Sequence, residues 1–109
     1  MDKETIEALF QFFGNFNQDW DLDNPDWLSV VWRFVQNNTP ERVAFVHQGI
    51  ASLLSSDFSE SELEEKVIDE FGAYYLPSAD GMSFRQWLTE VNQLIEDHSS
   101  GGSGWLPDP

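Results

Sequence analysis

From Ile6 to Ile95, apolar side chains return every three or four residues without the strict alternation of a strand. Because successive helical residues sit about 100° apart, that spacing gathers them on one face of each helix. Ile6, Leu9, Phe10 and Phe13 form the first stripe, with Gly14 as its stop. Asn24-Pro25 opens the second segment: Asn suits the N-cap, Pro the first helical position, and Asp26 opposes the positive end of the dipole. Trp27, Leu28, Val30, Val31, Trp32, Phe34 and Val35 then cover most of the circumference, leaving Ser29, Arg33, Gln36 and Asn37 for water. A helix this apolar is expected at the centre of a fold.

Thr39-Pro40 begins a third helix that aligns Val43, Val46, Ile50, Leu53 and Leu54. Ser59 and Glu62 stand in capping-box register for a fourth, which faces inward with Leu63, Val67, Ile68 and Phe71 and ends at Gly72. The loop AYYLPSADGMS carries turn chemistry at Pro77 and Asp80-Gly81. Ser83 with Gln86 caps a fifth helix whose inward residues are Phe84, Trp87, Leu88, Val91, Leu94 and Ile95. The expected fold is all-α, a compact single-domain bundle of about five amphipathic helices spanning residues 1–98, followed by a flexible Gly/Ser-rich tail over 99–109.

Charge sets the class of partner. Twenty acidic residues face five basic ones, a formal net charge of −15. A small domain needs a magnitude of only ~2–8 for solubility, and the excess repels itself and weakens the compact state. Such a chain also repels phosphate backbones and anionic membranes, so no nucleic-acid or membrane partner is expected, whereas basic proteins are. Cysteine is absent, which removes disulfides, thiolate zinc sites and cysteine nucleophiles. The N-terminus does not resemble a secretory signal, and no apolar run approaches the ~20 residues that span a bilayer. A cytoplasmic location is expected.

Nothing in the sequence makes a case for catalysis. Asp19, Asp21 and Asp23 match the first three ligand positions of an EF-hand loop, but the required Gly is Asn24 and the bidentate Glu is Val30. His47 lies beside Val46 along the stripe of Ile50 and Leu54, where a core-edge histidine with one hydrogen-bond partner is expected. His98 sits at the end of the last helix, where it favours the dipole. Metalloprotease, nucleophile-elbow, P-loop and dinucleotide motifs are missing. No catalytic residue, metal site or cofactor follows, although clustered carboxylates keep a small hydrolase open as a third reading.

Carboxylates read better as a surface. Glu62, Glu65 and Asp69 share the side of the fourth helix opposite Leu63 and Phe71, with Lys66 among them and Glu60 and Glu64 beside them. Phe12 and Phe45 are expected to project away from the apolar stripes of their helices, and Trp20, Tyr74 and Tyr75 fall in loops or at helix ends. An aromatic exposed beside carboxylates would make an interface anchor. The candidate contacts are Asp19, Asp21, Asp23, Glu62, Glu65 and Asp69, with Trp20 and Phe45 as candidate anchors.

The runs LFQFFGNFNQDWDLDNPDWLSVVWRFV and YYLPSADGMSFRQWLTEV carry a resemblance. Gln18 to Leu22, Asn24 to Trp27 and Tyr74 to Leu88 resemble the contact-dependent growth inhibition immunity protein family (CdiI). The likeness covers about residues 6 to 96; residues 36 to 60 contribute little, and the tail lies outside it. It implies a small, non-enzymatic, cytoplasmic bacterial protein that neutralises the C-terminal toxin domain of a cognate toxin, commonly a nuclease with a basic cleft. Binding as a monomer in a 1:1 complex would cover that cleft, and Trp27, Trp87 and Pro25 would serve the fold. The alternative is an acidic adaptor or regulatory domain with no toxin partner, which gene context would distinguish.

Overall fold

The computed structural model describes residues 2–16, 20 and 26–99, of which the side chains of residues 98 and 99 are left undescribed. Five α-helical segments appear among them: α1 (Lys3–Gly14), α2 (Trp27–Asn37), α3 (Pro40–Ser55), α4 (Glu60–Glu64) and α5 (Phe84–Ser99). A π-helical stretch, Glu65–Glu70, continues α4, and a 3₁₀ turn, Pro77–Asp80, precedes α5. No strand occurs among the described residues, so the fold is all-α, as the periodicity predicts.

Capping chemistry fixes the boundaries. Asp2 caps α1 through Thr5 N at 2.9 Å, and hydrogen bonding from Thr5 holds its carboxyl below the ordinary value. Thr39 accepts from Arg42 N at 3.2 Å, with Pro40 in the first turn of α3. Ser59 and Glu62 form the reciprocal capping box on α4, at 3.2 and 3.0 Å. Ser83 accepts from Gln86 N at 3.0 Å to start α5. The second helix departs from expectation. It begins at Trp27 with Asp26 as N-cap, accepting from both Ser29 N and Ser29 Oγ at 3.0 Å; Asn24 and Pro25 lie outside the described residues.

Two further expectations give way. In α1 the inward face is Thr5, Ala8, Leu9, Phe12 and Phe13, so the stripe is rotated: Phe12 is fully buried, whereas Ile6 and Phe10 are exposed. The reason is aromatic packing, because the Phe12 ring meets Phe13, Phe16 and Phe34 edge-on at 5.1–5.8 Å. The central helix is α3, packed along both α1 and α5; α2 lies against α3 and α5 less extensively, with Leu28 and Trp32 half-buried.

At the α1–α3 crossing Leu9 lies against Gly49, and a Cβ built on Gly49 would come within 2.7 Å of the Leu9 side chain. Leu9 is fully buried and has nowhere to swing. A second constraint is Trp87, which is fully buried and touches the rings of Phe13, Phe16, Trp27 and Tyr75 at centroid distances of 4.9–6.2 Å. The Tyr75 hydroxyl donates to Asp80 Oδ2 at 2.5 Å, which locks the loop before α5, and Gly81 closes that loop at φ 77°.

Gly49→Ala should lower stability by about 1–3 kcal/mol in urea unfolding, because overpacking outweighs the better helix propensity of Ala. Burial, and then the bond to Asp80, push the Tyr75 phenol well above its ordinary pKa of 10.0. The fold thus favours neutral Tyr75, so this contribution is complete below pH 10.0 and is lost as pH rises beyond it. Tyr75→Phe should flatten the alkaline decline in stability while costing about 1 kcal/mol at neutral pH.

Candidate functional site

Helix α4 and its π-helical continuation hold the densest acidic sequence, and the structure sorts its carboxylates into two kinds. Glu60 is committed to the fold: its two oxygens accept from Phe84 N at 2.7 Å and Arg85 N at 3.0 Å, at the start of α5. Arg85 completes the tie, its guanidinium donating to Leu54 O and Phe58 O at 2.8 Å each, at and beyond the end of α3. One cation and one anion thereby join α3, α4 and α5 through backbone groups that would otherwise be orphaned at helix ends. Glu62 is half committed, through its capping-box bond to Ser59 N. Glu65 and Asp69 are exposed and have no partner among the described residues.

The π geometry shapes this surface. Phe71 N donates to Lys66 O at 3.0 Å, five residues back, and the chain leaves through Gly72 at φ 79°. Gly72 N reaches Ile68 O and Ala73 N reaches Val67 O, a Schellman-like closure widened by one residue. In a strict α-helix Phe71 would point about 80° away from Leu63. The wider turn swings it back, so that Phe71 meets Phe10 at 5.1 Å and Phe13 at 5.7 Å.

Few of the charges are neutralised. Among the described residues Lys66 and Glu70 form an ion pair at 2.9 Å, and His47 Nε2 lies within hydrogen-bond distance of Glu96 Oε1, at 2.9 Å. Lys66 also lies 5.6 Å above the Phe58 ring, and Arg85 is spent on carbonyls. His47 takes the core-edge position its sequence predicts, with the Glu96 carboxylate as partner, while its carbonyl accepts from the buried Asn92 side chain at 3.1 Å.

The predicted site residues do not converge on one spot. Glu62, Glu65 and Asp69 follow one another along α4 and the π segment. Phe45 is half-buried on α3 and lines a depression of about 280 Å³ with Glu4, Glu7, Thr39, Glu41 and Arg42. Trp20 is also half-buried, its ring edge-on to Phe16 at 5.6 Å and to Tyr75 at 5.5 Å. Asp19, Asp21 and Asp23 lie outside the described residues. Val30, where an EF-hand loop would need its last ligand, is buried in α2.

A family model described as CdiI immunity protein matches residues 5–95. The chain belongs to the CdiI immunity protein family. No curated protein and no solved structure matches it. The family is one of toxin neutralisation. No described helix is long and apolar enough to cross a membrane.

The sequence periodicity does not announce one further feature beside the π segment. A groove of about 330 Å³ opens between α1, the end of α3 and the π segment, lined by Ile6, Ser52, Leu53, Ser56, Phe58, Lys66, Glu70 and Phe71. Its trace in the sequence is the breadth of the α1 stripe, which holds more apolar residues than one core-facing face can use. The sorting of charges gives a direct expectation. Arg85→Ala should lower unfolding stability by about 2–4 kcal/mol, through lost carbonyl partners and lost packing. Glu65→Gln and Asp69→Asn should each stay within about 0.5 kcal/mol of the parent in the same urea titration.

Proposed function

We propose that this CdiI protein binds the C-terminal toxin domain of a cognate contact-dependent growth inhibition protein in the cytoplasm and blocks it sterically, without catalysis. The toxin domain is basic, a nuclease whose cleft is built for phosphates, and the immunity protein covers that cleft or its rim as a monomer in a 1:1 complex. The observation that carries this reading is the excess of carboxylates left without cationic partners. A net charge of −15, with Lys66–Glu70 as the one ion pair between permanently charged groups among the described residues, leaves a strong negative field outside the molecule. That field accelerates encounter with a basic partner and offers its cleft carboxylates in place of phosphates. Exposed Glu62, Glu65 and Asp69 are the primary contacts, and Phe45 and Trp20 are secondary anchors. Asp19, Asp21 and Asp23 extend the same acidic character.

Co-expression with the toxin domain encoded directly upstream should restore growth, and the two chains should copurify. The association rate should fall by about tenfold or more between low and high salt, while dissociation changes little. Failure to rescue growth, together with failure to copurify, would overturn the reading; a salt-independent association rate would remove its electrostatic part.

A further inference from the structure

The groove beside α1 is not explained by acidic charge alone. Ile6, which lines it, is 36% exposed, and Phe10, one helical turn on and 47% exposed, packs edge-on against Phe71 of the same lining. Phe58 and Phe71 supply apolar surface opposite, and the volume of about 330 Å³ suits one large side chain. Lys66, the basic residue in its lining, is already held by Glu70 and the Phe58 ring. Lys66 and Glu70 cancel within the lining, so the net negative charge nearby belongs to exposed Glu62, Glu65 and Asp69 on the same helical segment. A groove that sets Ile6, Leu53, Phe58 and Phe71 beside Ser52 and Ser56, next to an acidic helix, is complementary to an apolar side chain flanked by Lys or Arg. A second copy of this chain, with its net charge of −15, would be repelled, as would nucleic acid or an anionic membrane.

We propose that this groove is the energetic centre of toxin binding. It receives one aromatic or branched aliphatic side chain of the toxin domain, while neighbouring basic side chains of that domain meet Glu62, Glu65 and Asp69. The proposal rests on the immunity reading above and adds where the affinity resides. Hot spots cluster in well-packed pockets that lose their water on binding; here the groove contact sets dissociation and the nearby carboxylates set association.

Two tryptophan substitutions at exposed positions of α3 separate this face from the rest. Ser52→Trp fills the groove, whereas Gln48→Trp places the same bulk one turn earlier on α3, beside His47 and outside the groove's lining. Kd is measured by biolayer interferometry against the purified toxin domain encoded directly upstream, with circular dichroism melts of each variant. Ser52→Trp should weaken binding by about tenfold or more, mainly through faster dissociation, and Gln48→Trp should stay within about twofold. Ile6→Ser, which removes apolar area without adding bulk, should weaken binding in the same direction. Glu65→Lys combined with Asp69→Lys should instead slow association, with the difference shrinking at high salt. Native affinity in both Ser52→Trp and Ile6→Ser, or equal losses in Gln48→Trp and Ser52→Trp, would overturn the groove and leave toxin binding intact. Absence of binding by the parent chain would overturn the immunity reading itself.

Discussion

Leu9 can lie against α3 only because Gly49 has no Cβ, and much of the molecule follows from that contact. The crossing opens a depression towards each end of α3. Glu4 and Glu7 meet Thr39, Arg42 and Phe45 at one end, while Ile6 meets Ser52, Leu53 and Ser56 at the other. A larger residue at position 49 would lift α1 and disturb both surfaces together. It would also loosen the stack that runs from Phe12 and Phe13 through Phe16 to Trp87. The core and the surface are therefore coupled through one small residue, and the surface depends on how closely two backbones approach.

The second organising feature is the way a strongly acidic chain avoids breaking itself apart. Self-repulsion scales with net charge, yet the cations present are not spread out as counterions. Arg85 is used for backbone carbonyls at the end of α3, where it ties three helices together; a surface ion pair would contribute only about 0–1 kcal/mol. Glu60, Asp26, Asp2 and Glu62 are placed at helix N-termini, where N–H groups and the dipole favour negative charge. These carboxylates help to hold the fold. The repulsion is therefore concentrated in exposed groups such as Glu65 and Asp69, which have room to spread their charge into solvent.

Elements whose cause is local were legible in the sequence. The Ser59–Glu62 box, the Thr39-Pro40 start, the Ser83 cap, Gly72 at positive φ and the inward face of α5 all depend on neighbours within a few residues. The family resemblance spans nearly the residues that the family model matches, because its Trp, Pro and Gly placements are distinctive. What stayed hidden depends on partners far away in the chain. The α1 stripe admits two rotations by periodicity alone, and Phe34 and Phe16 decide that Phe12 goes in and Phe10 stays out. The π turn reads as ordinary helix until Phe71 has to reach Phe10 and Phe13. Glu60 reads as one more surface carboxylate until α5 arrives 24 residues later.

The same division bears on how an immunity protein can be specific. Discrimination between related toxins needs groups that fit one partner and mismatch another. Carboxylates spent wholly on the fold, such as Glu60 with both oxygens on α5 N–H groups, cannot serve, because changing them changes stability before it changes recognition. Glu65 and Asp69 are free of that restriction, and so is the exposed pair Ile6 and Phe10, since none of the four is fully enclosed by the core. In the docking proposed above, these two sets act through different physics. The charges would set how often a basic partner arrives, and the groove how long it stays. A toxin altered only in its basic groups would then still fit the groove once it arrived, and one altered at the inserted side chain would arrive at the usual rate and leave early. A mismatched toxin would thus have to satisfy two independent conditions, a more selective arrangement than charge alone provides.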